Sequence, residues 1–261
     1  MTTPISRIAA IAALFVAQAT FATAAELKVY ATVGVKHSLE ELAAKFEKAN
    51  GHKLVLTFGT AAALAKRIQA GEQADLYVLT KQALETVAKD DKVVAGSERH
   101  FTSSVMAVAV KKGAAKPDLS TSDAFKAAML AAKTIAYPDP AGGGFSGVYF
   151  VKVAEQLGIG DQVKAKAKYP PDALAAKLLV TGEAELAINQ KPELLSVDGI
   201  EVAGPFPGAL AATTIFSAGV SKDSKQGDVA TAVIKFLETP EAAEIFKRDG
   251  FDPVPPAAKA S

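Results

Sequence analysis

The chain offers few side chains for chemistry. It has three histidines and no cysteine, so thiolate metal sites and cysteine nucleophiles are excluded outright. His52 follows Gly51 in a helix-to-strand turn, and His100 sits in Glu98-Arg99-His100-Phe101 ahead of a long apolar strand. His37 falls instead in a loop that reads Thr32-Val33-Gly34-Val35-Lys36-His37-Ser38. A second loop reads Asp139-Pro140-Ala141-Gly142-Gly143-Gly144-Phe145-Ser146-Gly147. Each delivers backbone N–H groups and a helix start, which together suit an anion. Lys36 would add a full charge, and Lys191 beside Gln190 another. His37, Ser146 and Tyr149 are the candidates for proton transfer, with Gly144 and Ser146 at the helix start as anion contacts.

Each candidate also has a plainer role. His37 and Lys36 fit a solvated first helical turn, and Tyr149, one turn inside a helix, fits core packing. Thr32 and Thr60 end strands at the carboxyl edge, where ligands lie in open α/β sheets, or else merely close those strand ends. Asp75 reads as structural at a strand start, and Asp139, between Pro138 and Pro140, as a loop cap. No His/Asp/Glu cluster has metal-ligand spacing, and neither a Gly-x-Ser-x-Gly elbow nor a Walker loop occurs. Hydrolase and nucleotide-dependent readings therefore lose support, and no metal or cofactor is expected.

The elements that must position these residues follow from periodicity. With 49% hydrophobic and 22% charged residues, and 29 Lys+Arg against 28 Asp+Glu, the chain is globular and no polybasic nucleic-acid binder. Residues 1–24 read as a signal peptide: Arg7, an apolar run from Ile8 to Val16, and Ala22-Thr23-Ala24 as the cleavage site. Export to the periplasm with cleavage near Ala24, and no membrane insertion, is the expectation. Strands are expected at Leu27–Ala31, Lys53–Phe58 and Ala74–Leu79, with helices at Ser38–Ala49, capped by Ser38, and at Ala61–Ala70. Strand and helix in alternation mean a parallel sheet. A second series begins at the apolar run Ser104–Val110. It continues with helices near Asp123–Ala131, Gly147–Leu157 and Asp172–Thr181 and strands at Thr134–Tyr137, Glu185–Asn189 and Thr214–Val220. Gly227–Leu237 and Pro240–Lys247 read as closing helices. The layout implies two α/β lobes, one of residues 26–105 with 219–261 and one of 106–218, joined by crossover strands near Met106 and Phe216.

Four stretches carry a resemblance: Val29-Tyr30-Ala31-Thr32 before a helix; Leu64-Ala65-Lys66-Arg67-Ile68-Gln69-Ala70-Gly71 leading to Ala74-Asp75-Leu76-Tyr77; Asp139-Pro140 through Gly147-Val148-Tyr149; and Pro240-Glu241-Ala242-Ala243 through Asp249-Gly250-Phe251. In these the chain resembles the molybdate-binding branch of type II periplasmic solute-binding proteins, which implies a two-lobed, hinged cleft. The family's oxyanion-binding hydroxyls match Gly34 and Ala61 here, its binding-site tyrosine matches Gln190, and its third-loop Pro-Ala-Gly matches Phe145-Ser146-Gly147. A dehydrated oxyanion needs every lone pair met, so the lost hydroxyls argue against molybdate. What replaces them suits an organic polycarboxylate. Within that branch the chain resembles the aconitate isomerases, which implies an allylic proton shift between cis- and trans-aconitate. The alternative is a passive subunit of an ABC importer for a small carboxylate or a molybdate-like oxyanion; a permease partner is expected only in that case.

Overall fold

A computed structural model describes residues 25–255, so the leader expected over 1–24 lies outside the described residues. From Glu26 onward strands and helices alternate: β1 (Glu26–Thr32), α1 (Lys36–Asn50), β2 (Lys53–Gly59), α2 (Ala61–Gln69), β3 (Leu76–Thr80) and α3 (Lys81–Lys89). β1 runs parallel to both β2 and β3. Gly51, at φ +71°, closes α1 in the left-handed conformation that L side chains avoid. The long β4 (Arg99–Lys111) leads to α4 (Ser122–Ala131), β5 (Ile135–Ala136), α5 (Phe145–Gln156), α6 (Gly160–Ala165), β6 (Ala167–Lys168) and α7 (Ala176–Thr181). Then follow β7 (Leu186–Gln190), α8 (Lys191–Leu195), β8 (Ile200–Pro205), β9 (Thr213–Val220), α9 (Gly227–Leu237) and α10 (Pro240–Arg248).

β4 joins the two halves. Its first part, Arg99 to Val105, pairs antiparallel with β9, and its second part, Met106 to Lys111, pairs with β7 and β8. Strand order runs β2-β1-β3-β9-β4-β7-β5-β6, with β8 also on β4. The chain returns through a 3-10 turn at Gly208–Leu210 and enters β9, whose partners are β3 and β4. One passage between the halves is thus a continuous strand and the other a loop that feeds a strand.

Residue size along the strands sets the layers. In β4, Met106, Val108 and Val110 face the core shared with α4 and α5, while Ala107 and Ala109 face Ala175, Ala176 and Leu179 around α7. The small face lets α7 and α8 approach closely. In β1, Leu27, Val29 and Ala31 pack toward α1, α9 and α10, and Tyr30 packs on the opposite face with Leu64, Ile68 and Leu84 of α2 and α3. Both faces of each sheet are covered, which is why these strands are nearly continuous apolar runs. Among the described residues no helix is long and apolar enough to cross a membrane.

Several boundaries differ from expectation, each for a local reason. α1 starts at Lys36 with Val35 as its cap, because a 3-10 turn at Val33–Val35 follows β1. Ser38 is not the cap; it is fully buried and its Oγ donates to Asp249 at 2.7 Å. α7 starts at Ala176, since Ala173 adopts φ +64° and breaks the turn before it. α5 starts at Phe145, two residues before Gly147. Gly147 is required by space rather than by torsion: a Cβ there would stand 2.0 Å from the carbonyl oxygen of Pro138.

That contact pins the start of α5 to the loop after β5 and generates a stability prediction. Gly147→Ala should cost about 1–3 kcal/mol in urea unfolding, whereas Gly142→Ala, where a Cβ meets nothing within 4 Å, should stay within about 0.5 kcal/mol. Equal midpoints for the two variants would show that the helix start is free to shift.

A candidate anion site between the two sheets

Parallel strands end in the same direction, so their following helices begin side by side. A cavity of about 890 Å³ lies at those ends, within the size range of small-molecule sites. It is lined by Thr32 at the end of β1 and Gly34 just beyond it, Thr60 and Ala61 at the start of α2, Thr80 and Lys81 at the start of α3, and Gly144 and Ser146 at the start of α5. The first N–H groups of a helix have no partner inside it and carry its positive dipole end. Several such ends aimed at one space make a site for negative charge. Thr60 Oγ1 accepts from the Ala63 N–H at 3.2 Å, and Thr80 Oγ1 from the Ala83 N–H at 3.4 Å. Each hydroxyl still has a proton to donate.

Two acid side chains line this cavity: Glu85 on α3, 3.7 Å from Lys81, and Glu193 in the first turn of α8. Glu193 Oε2 accepts three hydrogen bonds: from Ser146 Oγ at 3.3 Å, from Asn189 Nδ2 at 3.0 Å and from the Gln190 N–H at 3.2 Å. Its Oε1 has no hydrogen-bond partner among the described residues. Part of the side chain opens to the cavity, but protein atoms crowd it, and this desolvation pushes its carboxyl above the ordinary glutamate range. The three donors pull the other way without cancelling it. Asn189 is buried, and its Oδ1 accepts from the Ala175 N–H at 3.0 Å, which fixes which end of the amide faces Glu193. Sequence reasoning missed this carboxyl. Its signal was present: an acid three residues after Gln190, with Pro192 between, is a helix-start pattern that brings the acid back to the strand end.

Of the residues singled out from sequence, Thr32, Gly34, Thr60, Ala61, Gly144, Ser146, Tyr149 and Gln190 come together around the cavity. Lys36, His37 and Lys191 do not. The 3-10 turn after β1 delays the helix, so Lys36 and His37 fall on its exposed side. Lys36 lies 3.9 Å from Glu40 and over the Phe58 ring. Lys191 pairs with Asp252 at 3.0 Å, tying α8 to the segment after α10. The Tyr149 hydroxyl donates to the Leu210 carbonyl at 3.2 Å and its ring stacks on Phe145, so its proton is engaged elsewhere. Gly34 has little room for a side chain, because a Cβ would stand 3.1 Å from the Phe216 ring. Gln190 is buried, and its Oε1 has no hydrogen-bond partner among the described residues.

The other polar candidates have structural partners. Asp75 accepts from the Lys28 N–H and from Ser224 Oγ, and Asp139 caps its loop by accepting from the Ala141 N–H. His52 Nδ1 accepts from the Ala25 N–H, and His100 Nδ1 lies 2.7 Å from Ser217 Oγ. Three lysines not singled out from sequence, Lys66, Lys81 and Lys152, do line the cavity. Among the described residues no three His, Cys, Asp or Glu side chains are grouped to hold a metal.

With this geometry in place, residues 27–252 match the model of a family described as bacterial extracellular solute-binding protein. The chain is 31% identical over 235 residues to an aconitate isomerase from Pseudomonas sp, covering 88% of each chain. It is 28% identical over 229 residues to the molybdate-binding protein ModA of Escherichia coli strain K12, covering 87% of this chain and 88% of that one. The solved periplasmic molybdate-binding protein of Azotobacter vinelandii superposes with a TM-score of 0.67 at 20% identity, covering 87% of this chain and 98% of its own. That likeness shows the mixed α/β, two-lobed periplasmic binding protein fold.

The raised carboxyl of Glu193 has a stability consequence with a definite sign. A carboxyl whose proton affinity is raised by folding binds more protons in the fold than in the unfolded chain, so folding stability is lost as the pH rises from the unfolded value through the folded one. In urea unfolding the wild type should therefore weaken relative to Glu193→Gln as the pH rises above about 4, the ordinary glutamate value. A constant difference over that rise would mean that Glu193 titrates like a solvated glutamate.

Proposed function

The chain belongs to the bacterial extracellular solute-binding proteins, and on that premise we propose that its cleft binds a small organic polycarboxylate and isomerises aconitate between its cis and trans forms. The observation that carries this reading is the Ser146–Glu193 pair facing a cavity surrounded by helix starts, in a site without hydroxyls at Gly34 and Ala61. The Glu193 carboxyl caps the start of α8, and beside a bound ligand it would also supply the base that proton transfer needs.

The reaction moves one proton. Glu193 Oε1, in its ionised form, takes a proton from the methylene between two carboxylate-bearing carbons; the C–H pair becomes a carbon–carbon π bond and the former double bond becomes the new carbanion end. The same carboxyl returns a proton to that far carbon. Atoms and charge balance without an added reagent. Crowding raises the basicity of the Glu193 carboxylate, which brings its proton affinity closer to neutral pH. Ser146 and Asn189 hold Oε2 so that the other oxygen meets the substrate. N–H groups at the starts of α2 and α5, with the hydroxyls of Thr32 and Thr60, would hold substrate carboxylates and the spread charge of the dienolate. Gln190 lies beside them. The proton-transfer role expected for His37 moves to Glu193 because His37 does not line the cavity.

The proposal includes closure over the substrate of two lobes, drawn from the sequence as 26–105 with 219–261 and 106–218, with all of β9 (Thr213–Val220) on the first because it pairs with β3 and with Arg99–Val105 of β4, and periplasmic residence after cleavage near Ala24. The second reading, an importer subunit that delivers a carboxylate or an oxyanion to an ABC permease, draws on the 28% identity to a molybdate-binding protein.

Purified protein without added metal should convert cis-aconitate to trans-aconitate. Glu193→Gln should lower kcat about 10²- to 10⁴-fold with substrate binding retained, and His37→Ala should stay within about twofold. Tight molybdate binding with aconitate unchanged after prolonged incubation would overturn the isomerase reading in favour of the importer.

A further inference from the structure

A substrate with three carboxylates brings more charge than one helix start offsets. Cationic side chains line the cavity at three places: Lys66 on α2, Lys81 on α3 and Lys152 on α5. Lys81 already has a carboxylate neighbour, Glu85, at 3.7 Å. Lys66 and Lys152 are exposed and form no ion pair among the described residues. They stand on helices packed against different sheets, so they approach the cavity from its two walls. Both helices also present their N-terminal N–H groups to the same space.

Helix geometry aims these lysines back at the ligand. Lys66 lies five residues after Ala61 and Lys152 six after Ser146, a rise of about 7.5 and 9 Å. Side chains on an α-helix lean toward its N-terminus, and a lysine stem is long enough to return its ammonium over the preceding turn. A carboxylate held at either helix start therefore leaves a neighbouring carboxylate within range of the lysine further along. Of the two carboxyls that line the cavity, Glu85 is paired with Lys81 and the Oε2 of Glu193 is engaged by Ser146, Asn189 and the Gln190 N–H, so neither forms an ion pair with Lys66 or Lys152 among the described residues.

We propose that Lys66 and Lys152 form a two-sided cationic clamp that counts carboxylates, selecting a tricarboxylate over a dicarboxylate and over a small oxyanion. This rests on the polycarboxylate reading of the cleft. The clamp is separate from proton transfer and acts on binding alone.

Calorimetry with tricarballylate, the saturated and unreactive tricarboxylate, tests it without relying on turnover; glutarate and molybdate serve as the comparison ligands. Wild type should bind tricarballylate most tightly. Lys66→Gln and Lys152→Gln should each weaken tricarballylate about 3- to 10-fold and glutarate by much less, with the difference shrinking at high salt. Lys235→Gln, on α9 and away from the cavity, should change neither. Equal losses for both carboxylates, unchanged tricarballylate binding in the two variants, or no carboxylate binding by the wild type would each overturn the clamp. Selective losses in a protein that leaves aconitate unchanged would uphold the clamp and sink the isomerase. Turnover with kcat and KM both unaltered in Lys66→Gln and Lys152→Gln would do the reverse.

Discussion

Parallel strands whose carboxyl ends stop at one level are the constraint on which the rest of the site depends. β1, β2 and β3 share that direction, and each passes into a helix or a 3-10 turn within a residue or two of its last ladder bond. Unpaired N–H groups therefore collect at one edge whatever the side chains are. Side chains decide only what that positive edge is tuned to hold. The same logic operates in the second half, where the loop after β5 carries the chain to α5. There the close approach of Gly147 to Pro138 sets where the helix begins and so where Ser146 points its hydroxyl.

Space, as well as residue type, keeps a side chain out of this cleft at residue 34. Phe216 comes from β9, and its ring occupies the volume into which a side chain at residue 34 would grow. The loss of a hydroxyl there is tied to the packing of a residue far away in sequence. Ala61 likewise leaves the start of α2 with backbone donors and no hydroxyl of its own, though Thr60 stands beside it. The result is a roomy cavity edged by helix starts, with lysines on flexible stems along its walls. Backbone donors suit a planar carboxylate, which accepts in a fixed plane and asks for fewer donors than a dehydrated tetrahedral ion.

Glu193 shows how one position can close a helix start and still present a carboxyl to a cavity. Its carboxyl closes the first turn of α8 by accepting the Gln190 N–H, and two side chains from other elements converge on the same oxygen. Crowding works against its charge while the donors favour it, and the net upward push leaves a carboxyl that gains and loses a proton more readily at neutral pH than a solvated one. Asn189, locked by the Ala175 N–H, keeps that oxygen from turning.

The sequence alone determined the alternation of strands and helices, the two-lobed α/β class and loops whose residues line the cavity. Apolar runs and 3.6-residue periodicity are local, and Gly51, Thr60 and Pro240 mark helix ends by their own torsions and caps. Short elements such as α6, α8 and β6 went unread, since a few residues carry too little periodicity to register. What only the tertiary structure decided is which polar residues meet. Lys36 and His37 sit in a ligand-facing loop by sequence, yet one 3-10 turn carries them to the exposed side of α1. Lys191 is claimed by Asp252, and Tyr149 by the carbonyl of Leu210. Ser146 and Glu193, 47 residues apart, meet because β4 and β7 pair and α5 lands beside them. Side-chain meetings of that kind depend on sheet register and helix starts, which arise from burial summed over many elements, so no local pattern of residues could encode them.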